Sequence, residues 1–403
     1  MTLDKTKNNL NVPPLRFPGF EGEWKKKTLA QLVERVTRKN KNEESKTALT
    51  ISAQYGLVDQ ESFFNNKVAS SDLSHYYLLY KGDYAYNKSY SSGYPWGAVK
   101  RLNMYEKGAV STLYICFRPL DTVDSDFIGH YFESSKWHKG VSEIAVEGAR
   151  NHGLLNIGVK DFFNTVHFMP SLAEQKKIAS LLSLIDERIA TQNKIINDLK
   201  KLKSAIIDKI IEESDFPKIR FEKLYDKAGE GGTPSTSISE YYKDGTIPFV
   251  KIEDLSNKYL NESNDHITES GLCKSSAWLI PVNSIIYSNG ATIGAISINK
   301  IPVCTKQGIL GIIPKKEFDV EYLFYFMSST YFRKQVERIV TEGTMRTAYL
   351  KDINNIICTV PNLEKQISIS QMLCSISNKI DIEQRELINY TQQKRYLLYN
   401  LFI

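Results

Sequence analysis

Pro170-Ser-Leu-Ala-Glu-Gln175 opens a stretch that runs to Ile211, and Pro361-Asn-Leu-Glu-Lys-Gln366 opens a second that runs to Ile403. In the first, Ile178, Leu182, Ile185, Ile189, Gln192, Ile196, Leu199, Lys203, Ile206 and Ile210 are spaced alternately by four and three residues. In the second, Ile369, Leu373, Ile376, Ile380, Glu383, Leu387, Tyr390, Lys394, Leu397 and Leu401 keep the same spacing. Every position recurs at an offset of 191 (361 minus 170), the polar interruptions included. A 4–3 alternation averages about 3.5 residues, the period of helices that wrap round each other. Proline at each start suits the entry to a helix, where its missing N–H costs nothing. Neither seam contains Gly or Pro to stop it. The spacing predicts two long helices, over residues 170–213 and 361–403, each roughly 60 Å long at about 1.5 Å per residue. An amphipathic helix lying on its own domain usually stops within about 20 residues. These are read as spacers.

The 403 residues suffice for two domains and their connections. A 42% hydrophobic and 24% charged content is that of a globular chain, which excludes wholesale disorder. No apolar run reaches the ~18 residues of a membrane span, and the polar Met1–Leu10 stretch has no signal-peptide core. Five cysteines, widely separated and without a Cys-x-x-Cys pair, point to a reducing compartment and away from structural zinc. The expected location is the cytoplasm. A net charge of +6 is mildly basic and fits many enzymes as well as polyanion binders.

Residues 1–14 read as a flexible tail. A first domain, 15–169, enters its core through Trp24 and Leu29, with a short helix at 29–36 and another at 125–141. Strands are expected around Tyr84-Ala-Tyr86, Gly97-Ala-Val99, Leu113–Phe117 and Thr165–Phe168, from their period-2 pattern. A second domain, 214–360, repeats the plan. Tyr80–Tyr86 is echoed by Pro281–Tyr287, Gly97-Ala-Val99 by Gly294-Ala-Ile296, and Ile115–Pro119 by Leu310–Pro314. Glu147-Gly-Ala-Arg150 is echoed by Glu342-Gly-Thr-Met-Arg346, each ahead of a Lys-Asp pair (Lys160-Asp161, Lys351-Asp352). The loops between matched segments differ far more than the frame. That pattern suggests two sites recognising different things.

No phosphate-binding Gly-x-x-x-x-Gly-Lys-Ser/Thr loop is present, and the six histidines are scattered rather than spaced for a metal. Asp198-Leu-Lys200 has the look of a nuclease fragment but falls on the first long helix, where a solvated face is the simpler reading. Catalysis by this chain alone is not expected. Contacts to nucleic acid are better supported. Gly231-Gly-Thr-Pro-Ser-Thr-Ser237 is a turn rich in backbone donors and hydroxyls, with Lys251 to supply charge. In the first domain Tyr86-Asn-Lys-Ser-Tyr-Ser-Ser-Gly-Tyr-Pro-Trp96 mixes amide, cation, hydroxyl and aromatic groups. Within it Tyr86 and Trp96, like Tyr84, are read as core. The candidate contacts are Lys88, Ser89, Tyr90, Ser92, Tyr94, Arg150, Asn151 and His152 in the first domain. In the second they are Thr233, Ser235, Lys251, Asn289, Lys306, Gln307, Thr344 and Arg346.

Gly232-Thr-Pro-Ser235, Gly245-Thr-Ile-Pro-Phe-Val250, the Gly343–Arg346 loop and the paired Pro-x-Leu-x-x-Gln openings resemble the DNA-specificity subunit of type I restriction–modification enzymes. The first domain departs from that pattern, with Gly148-Ala-Arg150-Asn151 in place of Gly-Thr-x-Arg and no Gly-Thr-Pro-Ser turn. The resemblance implies an α+β architecture of two α/β target-recognition domains, each followed by a long helix, the helices pairing as an antiparallel coiled coil with pseudo-two-fold symmetry. It implies that each domain reads one half of a bipartite, asymmetric site in double-stranded DNA. It also implies two methyltransferase subunits and motor–nuclease restriction subunits as partners. S-adenosylmethionine, ATP and Mg are then expected on those partners and no cofactor on this chain. A scaffold spacing two protein-binding domains is the reading from a different class.

The seam also yields a register. In an antiparallel pair, facing residue numbers have a constant sum, and 586 sets Lys203 against Glu383 and Gln192 against Lys394. Every polar interruption then meets a polar partner, which avoids the cost of an unpaired buried charge.

Overall fold

The computed structural model describes residues 11–64, 72–89, 93–145, 155–340 and 346–403, and it divides into two compact units. One comprises residues 1–192 and 386–403, the other 193–385. Each unit thus holds one globular part and one end of each long helix.

In the first unit Lys25–Thr28 pairs antiparallel with Val166–Met169, closing the domain where the long helix leaves it. An antiparallel sheet follows in the order Val33–Arg35, Ile115–Pro119, Tyr84–Asn87, Ala98–Arg101. A second sheet runs Gly56–Asp59, Ala48–Ser52, Lys107–Val110, Tyr77–Tyr80, with its middle pair parallel. The second unit repeats this topology. Lys218–Arg220 pairs with Ile357–Thr359. Tyr225–Glu230, Ile309–Pro314, Ile285–Ser288 and Ile296–Asn299 form the first sheet, with Tyr259–Leu260 added at its edge. Asp265–Ile267, Ile247–Val250 and Cys304–Thr305 form the second, again with a parallel pair. The correspondence holds residue by residue. Tyr86 pairs with Val99 and Ile115, and Tyr287 with Ile296 and Leu310. Tyr84, Tyr86 and Tyr287 are all buried, so these strands present large rings to their cores.

The long helices span Leu172–Glu212 and Leu363–Asn400. The prolines do not occupy the first helical position. Ser171 and Asn362 cap the helices, accepting from Glu174 N–H at 3.3 Å and Lys365 N–H at 2.9 Å, and each proline precedes its cap. The glutamine of the repeated Pro-x-Leu-x-x-Gln motif has a definite task. Gln175 donates to the Pro170 carbonyl (3.1 Å) and accepts from Asp124 N–H (2.9 Å). Gln366 donates to the Pro361 carbonyl (2.8 Å) and accepts from Asp319 N–H (2.9 Å). Asp124 and Asp319 are themselves the caps of the domain helices Ser125–Glu133 and Val320–Met327. One buried amide therefore ties the start of a long helix to the start of a domain helix, in both units.

Two local expectations fail. Residues 29–36 carry a helical period, yet only Leu29–Gln31 forms a 3-10 turn, and Val33–Arg35 pairs as a strand with Ile115–Pro119. Sheet pairing overrides the weaker local preference. The helix expected over 125–141 breaks after Glu133. There Ser134 donates to the Tyr131 carbonyl at 2.6 Å and buried Trp137 turns back to the Phe132 carbonyl at 2.9 Å, and a new helix starts at His138. A serine hydroxyl that competes for a backbone carbonyl favours this ending.

Within each unit the opening turns of one long helix lie antiparallel against the closing turns of the other. Ile178, Leu182 and Ile185 share the first core with Leu397, Leu401 and Phe402. Ile207 and Ile211 share the second with Ile369 and Leu373. Polar residues of the two helices also find partners on the flanks of the seam. Lys394 is ion-paired at 2.6 Å to Asp186, six residues before Gln192. Lys203 lies with Ser377, Ile380 and Asp381 around a hollow of about 280 Å³, its ammonium 4.9 Å from the Tyr325 ring centre. Glu383, buried in the seam, is bridged by Lys379 on its own helix. Lysine stems reach past the seam to a partner on its flank.

His167, on the closing strand, is buried between two hydroxyls. Thr165 Oγ donates to the Phe162 carbonyl, so it must accept from Nε2–H of the ring (2.8 Å), which leaves Nδ1 to accept from the Tyr131 hydroxyl (2.8 Å). Both nitrogens are satisfied by the neutral ring only, and burial pushes the pKa down from 6.5 to about 4. The unfolded chain binds this proton more readily. Stability from this site is thus fully present above pH about 6.5 and lost as the pH falls toward about 4. Taking unfolding from pH 7 to 5 should cost the wild type about 2 kcal/mol more than it costs His167→Asn. Chemical denaturation at the two pH values measures the difference, and equal pH dependence would contradict the assignment. For the glutamine ties, Gln366→Ala strands an amide and a carbonyl. It should destabilise the second unit by roughly 1–3 kcal/mol, with faster amide exchange at Asp319 as its local signature.

Candidate nucleic-acid interface

In the second unit the segment Lys306-Gln307-Gly308-Ile309 links Cys304–Thr305 to Ile309–Pro314. Ile309 N–H donates to the Lys306 carbonyl at 3.2 Å, closing a four-residue turn, and Gly308 has φ +86°. A positive φ at the third residue marks a type II turn, and glycine adopts it without strain. The two middle amides point away from the turn's own hydrogen bond. Gln307 N–H donates to Thr233 Oγ at 3.4 Å, and Gly308 N–H donates to the Glu230 carboxylate at 2.8 Å. The Gly308 carbonyl accepts from Asn289 and Gly290 N–H at 3.0 and 3.2 Å. Asn289 in turn exchanges backbone and side-chain hydrogen bonds with Ala348. Four segments distant in sequence are thus laced together: 230–233, 289–290, 306–308 and 347–349.

Between them lies a cavity of about 390 Å³. Of the residues singled out in the sequence, Thr233, Lys251, Lys306 and Gln307 all line it. Arg346 is exposed and directly precedes Thr347, another lining residue. Lys251 is ion-paired to Asp265 at 2.7 Å, a bond that raises its pKa and keeps it charged. Glu230, Glu253 and Tyr349 also line the cavity and were not anticipated. Carboxylates carry the wrong charge for a polyanion site, so the sequence pattern gives no signal for them. A cavity walled by lysines, a glutamine, hydroxyls and carboxylates offers both donors and acceptors to base edges.

Other expectations need correcting. Asn289 is 2% exposed and its Nδ2 donates to the Ala348 carbonyl at 3.1 Å, so it braces the 289–290 and 347–349 segments, while its buried Oδ1 has no hydrogen-bond partner. The glycines of the 231–237 turn do not form a phosphate cradle. A Cβ on Gly231 would fall 2.0 Å from the Thr305 carbonyl oxygen and one on Gly232 2.2 Å from Ser276 Oγ, so both serve close packing. Gly231 N–H is taken by the Ile309 carbonyl. Ser235 is exposed and hydrogen-bonded to Ser237 at 2.8 Å, away from the lining residues. Thr344 lies outside the described residues.

In the first unit a corresponding link ties Lys88 to residues 155–157. Leu155 N–H donates to the Lys88 carbonyl at 3.0 Å, and the Lys88 ammonium reaches the Ile157 carbonyl at 3.4 Å. Ser89 N–H is held by Asn87 Oδ1 at 3.0 Å. Tyr94 is elsewhere. Its ring lies 4.9 Å from the Lys100 ammonium and its hydroxyl 3.4 Å from Glu133, in a hollow of about 510 Å³ shared with His130, Asp186 and Lys394. That lysine and glutamate are themselves ion-paired, so Tyr94 belongs to a charge network beside the long helix. Tyr90, Ser92, Arg150, Asn151 and His152 lie outside the described residues. Among the described residues no cluster of His, Cys, Asp or Glu is placed to hold a metal, and no helix is long and apolar enough to cross a membrane.

Two globular parts of one topology, each with a laced loop site, define a duplicated recognition module. The family model for the type I restriction modification DNA specificity domain matches residues 21–201 and again 214–390, and the chain belongs to this family. Over 321 residues it is 24% identical to the MjaVIII specificity subunit of Methanocaldococcus jannaschii, covering 73% of each chain. It is 29% identical over 189 residues to the MjaIX specificity subunit of the same organism, a match spanning 46% of this chain and 43% of that one. The EcoR124I/EcoR124II specificity subunit of Escherichia coli is 26% identical over 209 residues, covering 50% of this chain and 52% of that one. Among solved structures, the S subunit of the type I restriction–modification system from M. genitalium superposes with a TM-score of 0.57 at 18% identity, covering 97% of this chain and 99% of that one. A chain from a type I R-M system solved in a study of its assembly and conformational transition gives 0.57 at 16% identity, covering 96% and 98%. At such identities the likeness is one of fold.

Proposed function

We propose that this chain is the specificity subunit of a type I restriction–modification complex, and that its two units each read one half of a bipartite, asymmetric site in double-stranded DNA. The observation that carries this reading is the convergence of Thr233, Lys251, Lys306 and Gln307 on one cavity, with Arg346 exposed beside it. Lysine and arginine meet phosphates and guanine edges, while glutamine and the carboxylates suit adenine and cytosine. The same topology carries different loop residues in the first unit, as two unlike half-sites require. Long helices contributed to both units serve as the spacer in this reading.

The chemistry resides on partners: two methyltransferase subunits that methylate adenine with S-adenosylmethionine, and motor–nuclease subunits that use ATP and Mg. This chain directs them and catalyses nothing itself. A gel shift with and without co-purified partners tests the core claim, since sequence-specific, salt-sensitive binding is required and its absence would favour a protein-binding scaffold. Methylation sequencing of cells carrying the intact system should report a split motif. Exchanging residues 216–360 for those of a relative should change one half of that motif and leave the other; a change in both would refute the division of labour. Arg346→Ala should weaken specific binding by roughly 1–3 kcal/mol if the guanidinium reaches a base edge, or flatten the salt slope if it reaches phosphate. No change in either would remove Arg346 from the interface.

A further inference from the structure

A carboxylate on a DNA-facing wall is repelled by phosphate, so Glu230 needs a reason to be there. It is the last residue of its strand, paired opposite Leu310, and its carbonyl accepts from the Trp278 indole at 3.2 Å, so its backbone is fixed. From that anchored position its carboxylate accepts the Gly308 N–H at 2.8 Å. That amide is the element distinguishing two turn geometries. Type I and type II turns differ by a flip of the peptide between their two middle residues, here Gln307 and Gly308, which reverses the direction of the N–H. Glycine is permissive at the second of these positions, so the local sequence leaves both open. A carboxylate on one side of the turn selects the form with φ +86° at Gly308. The peptide plane it fixes also sets the direction of the Gln307 carbonyl at the cavity wall.

We infer that Glu230 is a positioning residue for sequence discrimination at the second half-site, acting through the 306–309 turn. The inference rests on the proposed reading of DNA by this unit. Its effect is on selectivity: a turn free to flip points the Gln307 carbonyl and the Gly308 N–H in two directions, and only one matches the preferred bases.

The test uses the full chain in cells carrying the intact system, with methylation sequencing as the readout for wild type, Glu230→Ala, Glu230→Gln and Gly308→Ala. The measured quantity is methylation of the motif relative to sites with one base changed in the second half. Glu230→Ala should lower this ratio roughly tenfold, the fold-change of about 1.4 kcal/mol, while discrimination in the first half stays intact. Glu230→Gln keeps an oxygen acceptor for the amide and should restore most of the ratio, although it removes the same charge as alanine. Gly308→Ala, strained at positive φ, should mimic Glu230→Ala. Wild-type discrimination in Glu230→Ala or in Gly308→Ala overturns the inference, and so does equal loss in the Gln and Ala variants, which would assign the effect to charge. A wild type that methylates no split motif overturns the parent reading and this one with it. Unchanged thermal midpoints in the exposed Glu230 variants separate the effect from misfolding.

Discussion

A buried glutamine amide holds each long helix to its globular part. Gln175 and Gln366 each bridge a proline carbonyl and the amide of an N-capping aspartate. A helix of about forty residues transmits any tilt at its root over tens of ångströms. Two hydrogen bonds in a dry site, one from each end of a planar amide, resist that tilt better than apolar packing does, because they are directional. The conformity of both units to one geometry follows from repeating this joint. The helix ends are core elements of the globular parts before they are partners of each other.

The repeat was legible because burial leaves periodic traces. The 4–3 seam, the strands around Tyr86 and Tyr287, and the match of Val99 with Ile296 and Ile115 with Leu310 all come from positions where a core dictates residue type. The partners of the seam lysines were not legible, because spacing does not record how far a lysine reaches: Lys394 finds Asp186 and Lys203 lies over Tyr325. Likewise the helical period at 29–36 gave way to a strand partner more than eighty residues distant in sequence, which no local pattern records.

The site was half legible, for a related reason. Residue type indicated Thr233, Lys251, Lys306 and Gln307, which the fold does gather, but type alone cannot tell a reader from a brace. Asn289 has the chemistry of a base contact and is used as a strut. Tyr94 has the chemistry of a stacking platform and is enclosed in an ion network. Glu230 shows the reverse error, since its charge argues against a place where its geometry gives it work.

The first unit is discontinuous in sequence, and this has a consequence for how the chain comes into being. Leu397, Leu401 and Phe402 complete a core whose other members, among them Trp24 and Phe127, precede residue 193. The second unit is one uninterrupted segment. During synthesis at about 5–20 residues per second, domains generally fold as units once they are whole. The unit encoded first is therefore finished last, after its neighbour has had the means to fold. Through that interval its apolar seam, Ile178 to Ile185, stays uncovered on the nascent chain. A chain truncated just short of residue 397 would keep a whole second unit beside a first one with an open core.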